Sequence, residues 1–230
     1  MARYLLTHSL LSSWLHAIKE NPREDATSER DHYAEFLDVL NRVQTPPTEA
    51  MQNGNEFEKL VTDIATNVFF PKLEWEKDRH GNLVIEPNSG EPTGHQIYPR
   101  WYDAASKVAD IVRGGQFQVK AKKPVTVNGT DFLLYGRLDV LKAGDIDDIK
   151  FTKNYERGKY FSSTQHPMYF ELVPEARRFC YLISNGTDVW TETYTREETR
   201  SIYPVIGDFA DWLRSQGLFQ IYAEKWEALH

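Results

Sequence analysis

Residues 130–152, Thr130-Asp-Phe-Leu-Leu-Tyr-Gly-Arg-Leu-Asp-Val-Leu-Lys-Ala-Gly-Asp-Ile-Asp-Asp-Ile-Lys-Phe-Thr152, decide how the chain folds. They read as two strands, roughly 130–142 and 145–151, joined by a tight turn at Ala143-Gly144. Gly144 supplies the positive φ that such a turn needs. With a two-residue loop, Lys142 pairs with Asp145, and counting outward sets Asp139 opposite Asp148. Opposed Cβ atoms are about 5 Å apart, and like charges so placed destabilise a sheet. A positive charge is therefore expected between them. Period two puts Lys150 on the same face as Asp148. Two opposed carboxylates with a neighbouring ammonium point to a divalent-metal hydrolysis site. The competing reading is a solvated hairpin edge, since Asp-Asp-Ile-Lys is also an ordinary surface string.

Outward from the hairpin, Asn128-Gly129 is the strongest turn signal in the chain and adds a strand at about 117–127, making a three-strand meander. Downstream, residues 163–173 read as a helix with Ser162 or Ser163 as cap. Pro167 is tolerable in its first turn, and Gln165 and Tyr169 share a face. Tyr169 reads equally well as a core tyrosine. Strands near 177–184 and 188–195 follow across Asn185-Gly186, then helices at about 201–215 and 219–228.

Upstream, residues 7–19 carry a helical apolar stripe capped by Thr7 or Ser9, and Asn21-Pro22 ends it. A second helix is expected from about 28 to 43, burying Tyr33, Phe36, Leu37 and Leu40. The third, roughly 49–68, has Phe57, Leu60, Val61, Ile64 and Val68 as its apolar face. Glu58 sits at the border of that face, where it either looks inward or forms a solvated flank. Residues 70–99 are turn-rich, with a short strand at 83–85, and read as an insertion that could contact substrate. Another helix runs from Pro99 to Val112 and stops at Gly114-Gly115.

At 230 residues and 40% apolar composition the chain can bury a full core, and one domain is expected. Its parts are a core at about 50–196, N-terminal helices at 7–44, the insertion at about 70–99 and C-terminal helices at 201–228. No apolar run approaches a membrane span, and no signal peptide is expected. Cys180 is the single cysteine, so no internal disulfide or cysteine-held zinc or iron–sulfur site can form. A cytoplasmic location follows as the expectation. The net charge of −7 argues weakly against nucleic-acid binding by bulk electrostatics alone.

The order helix, three strands, helix, strand resembles the restriction-endonuclease-like core of the PD-(D/E)XK nuclease superfamily. Within it the chain is most similar to the RecB, Cas4 and phage-exonuclease branch. Gly54-x-x-Phe57-Glu58 resembles the helical glutamate motif, and Gly136-Arg-Leu-Asp139 the first metal-binding aspartate. Asp148-Ile-Lys150 resembles the (D/E)-x-K element, and Gln165-x-x-x-Tyr169 the motif of the RecB-like branch. Thr7-His-Ser-Leu-Leu-Ser-Ser-Trp14 resembles that branch's serine-bearing first helix. The cysteines that hold an iron–sulfur cluster in many relatives are absent, and these residues contain no P-loop motor.

The resemblance implies an α+β fold of the three-layer α/β/α type, with a mixed sheet and flanking helices. It implies Mg²⁺ or Mn²⁺ held by Asp139, Asp148, Glu58 and the backbone carbonyl of Ile149. Lys150 would orient water or offset transition-state charge, and Gln165 and Tyr169 would position the nucleic-acid backbone. The implied function is metal-dependent hydrolysis of DNA, as an exonuclease of phage or mobile-element type. The alternatives are an endonuclease of the same fold, a nuclease-fold module that binds nucleic acid or a partner without cutting, and an unrelated α+β protein. DNA is the implied partner; a recombination or helicase partner and self-association stay open. His95 and His166 read as ordinary histidines before phosphate contacts.

Overall fold

The computed structural model describes residues 4–19 and 31–228. The expected helix stop at Asn21-Pro22 and the expected helix start near residue 28 lie outside them. In chain order the elements are β1 (Tyr4–Thr7), α1 (His8–Lys19), α2 (His32–Leu40), α3 (Glu49–Ala65), β2 (Lys72–Trp75), β3 (Gly94–Ile97) and α4 (Tyr102–Val112). There follow β4 (Gln116–Val127), β5 (Thr130–Lys142), β6 (Asp145–Phe151), α5 (Gln165–Leu172), β7 (Arg178–Ser184), β8 (Val189–Thr195), α6 (Tyr203–Ser215) and α7 (Phe219–Lys225).

The spine of the sheet is the antiparallel β4–β5 ribbon, closed at Asn128-Gly129 with φ of 47° and 72°. The other edge of β5 is divided. Its first half takes β1 in parallel, from Tyr4↔Phe132 to Thr7↔Tyr135. Its end takes β6, from Val140↔Asp147 to Lys142↔Asp145, across Ala143 (φ 51°) and Gly144 (φ 85°). The stretch of β5 between these two partners, Gly136 to Asp139, therefore faces a gap in the sheet. β7 joins β6 in parallel and β8 closes antiparallel. A parallel pair needs a crossover, and α5 lies within it.

Helices cover both faces, which gives the three-layer α/β/α architecture expected from the sequence. In β7, Phe179, Tyr181 and Ile183 pack with α1, α2, α5, α6 and α7, whereas Leu182 packs with α3 and α4. The α3 anchor is Phe57, fully buried against the Phe151 ring at 5.1 Å. Burying such a side chain stabilises by roughly 1.5–3 kcal/mol.

One irregularity places the site. Val119 and Leu138 pack in the first layer, but Phe117, two residues earlier in β4, and Val140, two residues later in β5, pack in the second. Strict alternation would keep residues two apart on one face. The reversal falls at Gln118, whose φ is 54°, and the Gln118–Asp139 rung is missing from the ladder.

Several local expectations are corrected. Tyr4–Thr7 forms a sheet strand, although no expected element covered residues 4–6. Tyr33 is 41% exposed, and Val68, beyond the end of α3, is 63% exposed. Residues 83–85 make only the isolated bridges Lys77↔Leu83 and Ile85↔Pro92, while the insertion's strands are β2 and β3. No helix among the described residues is long and apolar enough to cross a membrane.

Candidate functional site

The gap beside Gly136–Asp139 opens into a cavity of about 330 Å³. Glu58, Asp139, Asp148, Ile149, Lys150, Gln165 and Tyr169 all line it, so the seven residues that the resemblance assigns to the site reach one space, whereas His95 and His166 do not line it. Thr7, His8, Ser9, Tyr135, Gly136 and Arg137 complete the wall.

Each side chain is held by a nameable contact. Asp139 Oδ2 accepts the Ile149 backbone N–H at 2.9 Å. Lys150 Nζ lies 2.6 Å from Asp148 Oδ2, and the Gln165 amide donates to Asp148 Oδ1. Glu58 Oε1 accepts from the Gln118 amide, which the reversed strand turns toward α3. The Tyr169 hydroxyl donates to the Arg137 carbonyl at 3.0 Å. Gly136 permits this approach: a Cβ there would meet Leu172 Cδ1 and Tyr169 Cε1, both at 2.7 Å. Gly54, the glycine of the other motif, has open space around its Cα and no such steric need.

The electrostatics are those of crowded, partly dried acids. Burial, with Asp148 and Glu58 nearby, raises Asp139 well above the ordinary carboxylate range. Burial also raises Glu58. For Lys150 burial pushes down, but the attraction of Asp148 outweighs it and the ammonium is held above its usual value. Burial and Lys150 push His8 down to about 4, so its imidazole is neutral at neutral pH. Burial and the two aspartates push the Tyr169 phenol up to about 12, which keeps it a proton donor.

The donor set suits a hard cation in kind: carboxylate oxygens and a backbone carbonyl. In a strand the N–H and C=O of one residue face the same neighbour. The Ile149 carbonyl therefore looks into the gap that its N–H crosses to reach Asp139. Asp148 Oδ2 has the ammonium close by but no donor aligned on it, which leaves a buried oxygen with an open direction. Among the described residues no group of three or more His, Cys, Asp or Glu side chains is placed to hold a metal ion, so Glu58 does not complete a three-side-chain set with Asp139 and Asp148. Mg²⁺ ordinarily keeps several waters and takes only one or two carboxylates.

His8, Ser9, Arg137 and Gln118 were not assigned to the site from sequence. The Thr7–Trp14 resemblance is the one signal that pointed toward His8 and Ser9. Thr7 caps α1, accepting the Leu10 N–H at 3.3 Å, and Thr164 Oγ1 donates to the His8 carbonyl at 3.2 Å. The expected cap of α5 is displaced: Thr164 holds the cap position, and Ser163 Oγ accepts the Gln165 N–H at 3.1 Å. His166 is buried, 3.1 Å from the Tyr181 hydroxyl, rather than at the cavity.

No protein-family model and no curated protein matches this chain. Among solved structures it is similar to SSO0001, with 15% identity over 48% of this chain and 56% of that one and a TM-score of 0.37. It is also similar to Rai1 of Scheffersomyces stipitis, with 11% identity over 94% and 62% and a TM-score of 0.35. The chain thus spans less than two thirds of either protein. These are weak, partial likenesses that assign neither a family branch nor an activity.

Proposed function

We propose that this cavity hydrolyses phosphodiester bonds of DNA with Mg²⁺ or Mn²⁺, as a member of the PD-(D/E)XK superfamily and its RecB-like branch. The observation that carries the reading is the meeting of Asp139, Asp148 and Lys150 with Glu58 of α3 and Gln165 of α5 around one cavity. Asp139, Asp148 and the Ile149 carbonyl would hold the cation, with Glu58 at its margin. Such an ion polarises a phosphoryl oxygen and lowers the pKa of bound water.

The remaining roles fall to the chain itself. The Lys150 ammonium, fixed by Asp148, offers positive charge where negative charge develops on the phosphate. Gln165 orients Asp148. Tyr169 spends its hydroxyl on the Arg137 carbonyl and so fixes the strand beside Asp139, a positioning role. Arg137 is exposed at the rim, and its guanidinium suits a backbone phosphate. Action at a strand end, as an exonuclease, is the finer form of this proposal.

A second reading has its own observation. That the described residues bring no three His, Cys, Asp or Glu side chains together to hold a metal fits a module that binds nucleic acid without cutting. Incubation with 5′-labelled, 3′-labelled and closed-circular DNA, with and without Mg²⁺ or Mn²⁺, separates the two. Metal-dependent loss of an end label with intact circles supports the exonuclease, and nicked circles the endonuclease. DNA binding without any cutting favours the module.

A further inference from the structure

The carboxylate cavity does not end at Lys150. A second cavity of about 470 Å³ shares His8, Lys150 and Gln165 with it. A third, of about 250 Å³, shares Leu15, Ser162, Ser163 and Thr164 with the second. Together they form one groove from Asp148, past the first turns of α1, to Phe161 and Tyr194.

The chemistry changes along the groove. The chain carries a net charge of −7, yet among the described residues no Asp or Glu lines the middle cavity. Lys150, Lys159 and His16 line it, with the hydroxyls of Ser12, Ser162 and Ser163. Lys150 is already paired with Asp148, but the Lys159 ammonium and the hydroxyls complement a sugar-phosphate backbone. The far cavity has aromatic and apolar walls, Phe161, Tyr194, Pro167 and Ile202, with Arg200 and Glu198 among its polar groups. Aromatic walls with a few polar groups suit a planar heterocycle.

Phe161 is 70% exposed, with its ring 6.5 Å from that of Tyr194. The chain leading to it is pinned. Glu192 accepts from the Tyr155 hydroxyl at 2.8 Å and from the Gly158 and Tyr160 N–H groups, each at 3.1 Å. Tyr160 stacks on Tyr181 at 4.4 Å. An exposed phenyl ring beside a fixed aromatic wall is a stacking platform already in position.

We propose that the groove holds a single strand of DNA, its backbone across the middle cavity and one unstacked base against Phe161. A base within a duplex is stacked and paired and cannot enter such a pocket. The inference rests on the hydrolytic reading of the adjoining carboxylate cavity, because it makes the groove that cavity's substrate channel.

Fluorescence anisotropy with a labelled oligonucleotide, single-stranded or annealed to its complement, tests it in Ca²⁺. The single strand is expected to bind more tightly than the duplex. Phe161→Ala should weaken single-strand binding by about 5- to 150-fold, the range for a lost base–aromatic stack. It should leave duplex binding unchanged, and Phe161→Tyr should restore affinity. Lys159→Ala should lower the salt slope for the single strand by about 0.7. Equal affinity for both forms, or Phe161→Ala without effect, overturns the proposal. Cleavage in Mg²⁺ is scored separately. Phe161-dependent binding without cutting would retain the groove and remove the hydrolytic reading; cutting without that dependence would do the reverse.

Discussion

The backbone N–H of Ile149 donates to Asp139 Oδ2 at 2.9 Å, where the next rung of the β5–β6 ladder would otherwise form. A side-chain carboxylate thus replaces a backbone acceptor, and β6 leaves β5 without stranding a buried N–H. The gap this opens is bounded by β1 on one side and β6 on the other. The residue that ends the pairing is also the one that faces the cavity, so fold and site share an atom.

His166 gives the protein a stability that depends on pH. Burial pushes its pKa from 6.5 down to about 4. The unfolded state then binds more protons between these values, and stability is lost as pH falls through that window. From about pH 7 to about pH 5 this amounts to roughly 2 kcal/mol. His8, also pushed down to about 4, acts with the same sign. The raised carboxyls of Asp147 (to about 6), Asp139 and Glu58 act with the opposite sign. Relative to wild type, His166→Gln should lose roughly 2 kcal/mol less stability in urea unfolding between about pH 7 and about pH 5. An unaltered slope would show that His166 takes up a proton while folded.

Gly136→Ala should destabilise the protein by about 1–3 kcal/mol, the cost of overpacking a filled space. The added methyl meets Leu172 and Tyr169 on α5. A melting temperature lowered by about 2–8 °C is expected. No shift would mean that α5 retreats freely, which its Tyr169–Arg137 bond argues against.

Glu192→Gln should loosen the segment that leads to Phe161. The carboxylate accepts from Tyr155, Gly158, Tyr160 and Tyr194, and an amide turns an NH₂ toward some of those donors. Leaving a buried donor unsatisfied costs about 1–3 kcal/mol. Limited proteolysis should cut the variant within residues 152–163 faster than wild type. Equal rates would show that the aromatic stack of Tyr160 on Tyr181 holds the loop alone.

The hairpin turn was legible because its chemistry fixes the first rungs: Ala143-Gly144 leaves Lys142 against Asp145. The expected Asp139–Asp148 rung does not form, because the ladder ends at Val140↔Asp147 and the Asp139 carboxylate takes the Ile149 N–H instead. Helical spacing likewise put Phe57 inward and Gln165 and Tyr169 on one face. β1 was not legible, since Tyr4–Thr7 is too short for a period and its partner lies far along the chain. Nor was the reversal at Gln118, because a positive φ at a glutamine has no residue-type signal. His8 and Arg137 were missed for a related reason. Both reach the cavity only through the parallel β1–β5 pairing and the gap below it, which are long-range facts. In the insertion, β2 and β3 pair across twenty or so residues of turn-rich chain, with all their residues exposed and no buried face to mark them.

The central claim is that Asp139 and Lys150 serve one hydrolytic centre in different ways, the first by holding a cation and the second by stabilising charge on the phosphate. The most direct measurement is single-turnover cleavage of labelled DNA in Mg²⁺ by wild type, Lys150→Ala and Asp139→Asn, with cation affinity measured on the same preparations. Wild type is expected to cut. Lys150→Ala should lose about 10²–10³ in rate while keeping its cation affinity, and Asp139→Asn should lose both. Absence of cutting by wild type in Mg²⁺ and Mn²⁺, or cutting by both variants at the wild-type rate, would contradict the account.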